Sequence, residues 1–242
     1  MKIGVVIPYR ATPSREKLFD AVIDWYKRNL PSAIIYTCNA PGEYWQPSAS
    51  RNLGVAEATK DNCDVIIMND ADTIPEIIPL MEAVEACRVT GMIHNPYLYC
   101  MQLSEEGTKH YIEKKLKLSQ CPIKAYSQLA CFGVIVFTSK TWYELGGMDE
   151  KFIQWGPEDR AMEHVHTVIK GREFIHHNGR IWCLNHQEQI HDKGFNENSL
   201  KNRDLYIKYL SINDSINILK LVAAKPDKLD NFKNNKVWSK HL

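Results

Sequence analysis

The 242-residue sequence contains no apolar run approaching the ~20 residues that a bilayer-spanning helix needs, so no membrane span is expected. Its opening stretch, Met1 to Arg10, is too short for a signal h-region and offers no small-residue cleavage site. There is no excess of charge of either sign. The 30 basic residues stand against 29 acidic ones, a formal +1, and nothing in that balance calls for a polyanionic partner. None of the seven cysteines (Cys38, Cys63, Cys87, Cys100, Cys121, Cys131 and Cys183) forms a CxxC pair, which argues against a zinc ribbon and a redox dithiol. Several lie in apolar runs, where a free thiol behaves as a small hydrophobe, and the set reads as that of a reducing, cytoplasmic compartment. No internal repeat or low-complexity linker is present. What the chain does have is 44% hydrophobic and 24% charged residues, an ordinary globular balance, and length enough for one large α/β domain or a domain with a small appendage.

Short β-branched runs alternate with amphipathic stretches. Residues 3–8, 33–38 and 64–69 read as buried strands, and 14–29, 48–60 and 75–88 as helices, followed by a fourth strand at 91–94. Ser14 is a candidate N-cap for the first helix, and Ser48 opens the second. This βαβαβαβ order predicts a mostly parallel sheet with helices on both faces. Further on, 104–118 carries Glu and Lys at helical spacing, 129–138 is a strongly apolar strand containing a glycine, and 140–146 is one or two helical turns. A helix begins near Pro157, a residue suited to the first helical position, with Ala161, Val165, Val168 and Ile169 as its inner stripe. Strands at 173–176 and 180–184 precede an Asn-, Lys- and Asp-rich end with helices at 198–210 and 214–224.

Four groups of residues have chemistry to offer. Asp70 and Asp72 follow the third apolar strand, and in a parallel sheet the carboxyl ends of strands are where ligands bind. Two carboxylates at i and i+2 can share one hard cation and the phosphates it carries; the alternative is a solvated turn. Glu158 and Asp159 fall in the first turn of a helix, after Trp155-Gly156, where the helix dipole favours the ionised form that a base requires. The alternative is a first turn charged for stability alone. Pro8-Tyr9-Arg10 at the tip of the first strand and Ser50-Arg51-Asn52-Leu53-Gly54 bring arginines suited to phosphate, or simply surface arginines. Among the histidines, His186 and His191 lie after the last strand, without HExxH spacing, and are the better candidates for a metal ligand.

Taken together, Pro-x-Arg, Ser-Arg-Asn-x-Gly, the strand-end Asp-x-Asp and Gly146-Gly147-Met148-Asp149-Glu150-Lys151-Phe152 leading to Trp155-Gly156-Pro157-Glu158-Asp159 resemble the GT-A glycosyltransferases. The last motif is similar to the galactosyltransferase and chondroitin-polymerase signature. The resemblance spans roughly residues 3–191 and implies a GT-A catalytic domain over 1–191, with a nucleotide-binding half at 1–95 and an acceptor half at 96–191. Residues 192–242 are then a C-terminal helical extension. It further implies that Pro8, Tyr9 and Arg10 line the nucleotide pocket, that Arg51 faces the nucleotide or its diphosphate, and that Trp155 and Gly156 shape the sugar pocket. Asp70 and Asp72 approach Mn2+ or Mg2+, Asp72 more directly, and His186 or His191 completes the metal shell. Glu158 holds sugar hydroxyls and Asp159 is the base of an inverting transfer from a nucleotide-sugar, UDP-sugar first, to an acceptor hydroxyl.

The acceptor class stays open: glycan, lipid-linked sugar, protein or, as a minority option, a modified DNA base, since small transferases of this kind occur in bacteriophages and would then work in the host cytoplasm. Two other readings remain. A haloacid-dehalogenase-type phosphatase also places Asp-x-Asp after an apolar strand, but Thr73 falls one position early for it and Trp155 to Asp159 is unexplained. A non-catalytic sugar-nucleotide or glycan-binding module on the same fold is the second, because function does not follow from fold.

Overall fold

The computed structural model describes residues 1–186 and 197–223. Its central sheet begins with β1 (Ile3–Pro8), which is flanked by β2 (Ile34–Cys38) and β3 (Val65–Asn69), both parallel to it. Helix α1 (Glu16–Asn29) connects β1 to β2, and α2 (Pro47–Lys60) connects β2 to β3. Strands β1 and β3 are buried because helices cover both faces, and successive side chains divide between two cores, while the edge strand β2 is half-buried. Val5, Ile7, Val65 and Ile67 join α1 residues Leu18, Val22 and Trp25 on one face. Val6, Ile66 and Met68 join α2 residues Val55 and Ala58 on the other. Gly54 lets α2 approach β1: a Cβ there would stand 2.3 Å from Val6 Cγ1 and 2.8 Å from Cys38 Sγ.

Both expected serine starts are corrected. Arg15, not Ser14, caps α1 and makes no side-chain capping bond, while α2 begins one residue early, at Pro47 after Gln46. Proline at the first position lacks only an N–H that has no helical partner anyway.

After β3 the chain makes a short turn into β4 (Thr73–Pro75) and then α3 (Ile77–Thr90). The strand expected at 91–94 shrinks to β5 (His94–Asn95). There follow β6 (Tyr99–Leu103), α4 (Glu105–Ile112), a 3-10 turn at Leu118–Gln120, β7 (Ile123–Gln128) and β8 (Val134–Phe137). Then come α5 (Ser139–Glu144), α6 (Glu158–Lys170), β9 (Ile175–His176) and β10 (Arg180–Cys183). The six-stranded sheet has the order β2-β1-β3-β8-β5-β9, and a second sheet has the order β4-β10-β6-β7.

The central sheet is mostly parallel, as expected, with one exception: β8 runs antiparallel to both β3 and β5. An apolar run reports burial but not direction. The chain reaches β8 through the β6–β7 excursion into the second sheet, so no single right-handed crossover helix dictates a parallel course.

Helices α7 (Glu197–Leu210) and α8 (Ser215–Val222) close the second core, to which they supply Tyr209, Ile218 and Val222. No helix among the described residues is long and apolar enough to cross a membrane.

Candidate active site

The end of β3 is held by Asn69. Its Oδ1 accepts from the buried Tyr26 hydroxyl at 2.7 Å, and its Nδ2 donates to the carbonyls of Asp70 and Thr73 at 2.7 and 2.8 Å. The Asp70 N–H donates to the Gly133 carbonyl, and the Asp72 carbonyl accepts from the Leu184 N–H at 2.7 Å. This turn is fixed by backbone on both sides, which is not the solvated turn of the alternative reading.

Arg51 of α2 is 5% exposed and lies beneath the turn, its guanidinium carbon 4.4 Å from the Phe132 ring centroid. Nη2 donates to Asp70 Oδ1 at 3.0 Å. Nη1 donates to Asp159 Oδ1 at 3.1 Å and to Glu158 Oε1 at 3.3 Å. One guanidinium thus gathers the acids of β3's end and of α6's first turn. Arg51 is not the surface arginine of the alternative reading, because both its terminal nitrogens are taken by carboxylates.

Asp72 faces a different group. Its Oδ2 lies 3.1 Å from His186 Nε2, and Arg15 Nη2 lies 3.1 Å from the same nitrogen. Nε2 cannot accept from Arg15 and donate to Asp72 with one position. If it accepts, two lone-pair-bearing atoms face each other at 3.1 Å, an arrangement that a cation relieves. The carboxylate oxygen is a donor that suits Mn2+ and Mg2+, whereas the imidazole nitrogen beside it suits softer first-row ions. Among the described residues no group of three or more His, Cys, Asp or Glu side chains is arranged around a common point. His191 lies outside the described residues.

These acids carry their protons differently. Burial pushes Asp72 up, but the His186 hydrogen bond and the Arg15 charge outweigh it and hold it below the ordinary value. Asp70 is raised, by burial first, with Arg51 opposing and Asp72 adding. Burial together with Asp159 pushes Glu158 up to about 8 against the pull of Arg51. Asp159, whose side chain is 30% exposed, rises to about 6 through burial and Asp70, again against Arg51. One arginine cannot neutralise three carboxylates, so burial and excess negative charge win over the helix dipole expected to keep α6's acids ionised. Pro157 is the N-cap of α6, not its first residue. Glu158 Oε2 is buried with no hydrogen-bond partner.

The remaining expected residues make contacts of their own. Pro8 closes the buried β1 at the register position of Cys38. Tyr9 stacks on Phe19 with centroids 4.0 Å apart, its N–H bonded to the Cys38 carbonyl. Arg10 donates to the carbonyls of Gly42 and Glu43 at 2.8 and 3.1 Å, so it organises the loop before α2. Trp155 is 71% exposed, just before Gly156 and the two acids.

Sequence reasoning missed Arg15, Phe132 and Asn202 altogether. Asn52 was only part of a motif. Its Oδ1 accepts from the Met148 N–H and its Nδ2 donates to the Met148 carbonyl, at 3.0 and 2.8 Å, tying α2 to the Gly146–Asp159 loop. The one available signal was that Asn52 adjoins Arg51.

Residues 115–181, which include the Gly146–Asp159 motif, match the family described as the N-terminal domain of galactosyltransferase. No curated protein sequence matches at significance. Among solved structures, GalNAc-T7 with UDP, GalNAc and Mn2+ superposes with a TM-score of 0.54 and 12% identity, over 97% of this chain and 54% of that one. A mutant Drosophila beta-1,4-galactosyltransferase 7 in complex with manganese, UDP-Gal and xylobiose gives 0.45 and 16%, over 72% of this chain and 64% of that one. The catalytic domain of Drosophila beta-1,4-galactosyltransferase 7 with xylobiose gives 0.44 and 16%, over 74% and 67%. The chain thus spans less than two thirds of the first of the Drosophila structures. The chain shares the GT-A fold of these glycosyltransferase structures. Residues 115–181 carry its similarity to galactosyltransferases.

Proposed function

We propose that the chain moves a sugar from a nucleotide-sugar, with UDP the expected nucleotide, to an acceptor hydroxyl with inversion at the anomeric carbon, and that Asp159 is the base. The observation that carries this reading is the Arg51 bridge: Asp70 at 3.0 Å and Asp159 at 3.1 Å on one guanidinium put the strand-end and helix-start acids in one cleft. In this reading Pro8, Tyr9 and Arg10 border the nucleotide, and Asp70 turns toward the donor from its seat on Arg51. Arg51 faces the diphosphate side and contributes by holding Asp70, Glu158 and Asp159 together on one guanidinium.

The ionised Asp159 carboxylate takes the proton of the acceptor hydroxyl, the freed oxygen bonds the anomeric carbon, and the bond to the diphosphate breaks on the opposite face. Glu158, with its unpartnered buried oxygen, receives a sugar hydroxyl, and Trp155 and Gly156 border the sugar. Asp72 and His186 would hold Mn2+ or Mg2+, which supplies charge neutralisation for the departing diphosphate. Residues 1–95 then serve the donor and 96–191 the acceptor, with α7 and α8 as a helical extension. The seven free cysteines agree with a cytoplasmic setting. A glycan hydroxyl is the first acceptor to try, with modified DNA as the minority choice.

A thermal-shift screen of sugar nucleotides with and without Mn2+ tests the reading, because ligand stabilises by RT ln(1 + [L]/Kd). One UDP-sugar should raise Tm only with the metal and then support acceptor-dependent UDP release. Hydrolysis of generic phosphoesters with no response to any sugar nucleotide would overturn it in favour of a phosphatase.

A further inference from the structure

The first turn of α6 carries both acids, and the loop leading into it is pinned in the second core by Met148 and Phe152, which leaves residues 153–157 to be held by other contacts. Trp155 points outward, 71% exposed. Gln154 sits at φ 62°, a left-handed conformation that a non-glycine residue keeps only when its surroundings impose it. Two neighbours impose it. On one side the Gln154 N–H donates to the Trp45 carbonyl at 2.8 Å. On the other side stands α7. Asn202, 2% exposed, accepts from the Ile153 N–H at 3.3 Å and donates to the carbonyls of Ile153 and Trp155 at 2.8 and 3.0 Å. One turn earlier, Asn198 Nδ2 donates to Gln154 Oε1 at 3.0 Å. Gly156 completes the fit, since a Cβ there would stand 2.6 Å from Asn202 Nδ2.

We infer that Asn202 is a positioning residue for the transfer reaction: by clamping the backbone of Ile153 and Trp155 from the C-terminal helix, it sets where Asp159 stands relative to the acceptor. The inference rests on reading Asp159 as the base. All the polar valences of the Asn202 amide that the structure pairs go to this one segment, and only Gly156 and Pro157 separate the segment from the acids.

The contact can be broken from either side. Asn202→Ala removes the clamp, and Gly156→Ala drives a methyl into it. Each is expected to lower acceptor-dependent kcat by about 10²-fold, the cost of displacing a reacting group by roughly an ångström. Stabilisation by donor and Mn2+ should persist, and the Trp155 emission, isolated by subtracting the spectrum of a Trp155→Phe partner, should shift to the red. The double variant should be no worse than Asn202→Ala, because neighbours acting through one contact do not add. If both single variants keep wild-type kcat and Trp155 emission while only Tm falls, Asn202 is structural and the proposal is overturned. Should Asn202→Ala not fold, Asn202→Asp, which removes the donors to the Ile153 and Trp155 carbonyls while keeping the size of the side chain, decides in its place. Asp159→Asn in the same assay separates the two layers. Normal turnover there removes the base and the positioning claim with it, whereas a dead Asp159→Asn beside a fully active Asn202→Ala overturns the positioning claim alone.

Discussion

Three acids, Asp70, Glu158 and Asp159, meet on Arg51, and the protein treats them in the opposite way to Asp72 nearby. Asp72, at the end of β3, has a histidine and an arginine of its own and is held below the ordinary carboxylate range. Glu158 and Asp159, at the start of α6, share a single guanidinium with Asp70 and are pushed up, to about 8 and about 6. The same side-chain chemistry becomes a permanent anion in one place and a proton-exchanging group in the other. Environment, not residue type, separates a charge-bearing ligand from a base.

The sharpest way to break this comparison is Asp159→Asn. Acceptor transfer should fall by about 10²–10⁴-fold while donor-dependent stabilisation is kept, as read by UDP release and thermal shift. Equal loss of both would mean that the acids on Arg51 and Asp72 do one job, not two.

Next in size is Arg51→Met, which leaves three carboxylates without their cation. A buried pair broken in this way costs on the order of 3–5 kcal/mol. The sign with pH follows from linkage. A carboxyl group whose folded-state pKa is raised stabilises the fold below its unfolded value, and that benefit is lost as pH rises through the folded value. Without Arg51 the acids rise further, so urea unfolding should show a larger deficit at pH 8 than at pH 5. An equal deficit at both would show that the lost packing on Phe132, not charge, dominates.

His186→Ala probes the Asp72 side. It should weaken Mn2+ binding by at least about tenfold, measured by calorimetry, and leave the acid limb of the rate profile where it was. A shift of that limb would couple the two sides more tightly than proposed here. The smallest effect is the limb itself. With Arg51, Asp70, Glu158 and Arg160 around it, Asp159 should lose activity as pH falls through about 6, seen in kcat/KM for the acceptor. A limb near the ordinary aspartate value would mean that the first turn of α6 is wetter than its burial suggests.

The run from β1 to β3 was legible because its signals are local. Buried parallel strands read as unbroken β-branched runs, and α1 shows its stripe at Leu18, Val22 and Trp25. Strand β7 was not, because Ile123–Gln128 is exposed throughout and has no alternation to betray it. The direction of β8 was equally invisible, since Val134–Phe137 would look the same running either way. At the site, the motifs located Asp70, Asp72, Glu158 and Asp159, but an arginine in Ser-Arg-Asn does not announce that it will be buried. That depends on Phe132 and on acids from α6 arriving at its face.

The sequence by itself determined which residue types were available, the order of strand and helix through the first half, and the identity of the acids, because periodicity and motif spacing act over a few residues. Only the tertiary structure decided that Arg51 joins Asp70 to Glu158 and Asp159, that His186 returns to Asp72, and that Asn202 grips the loop before Asp159. Each is a contact between segments far apart in the chain, and burial and charge balance at such contacts exist only once the segments have packed.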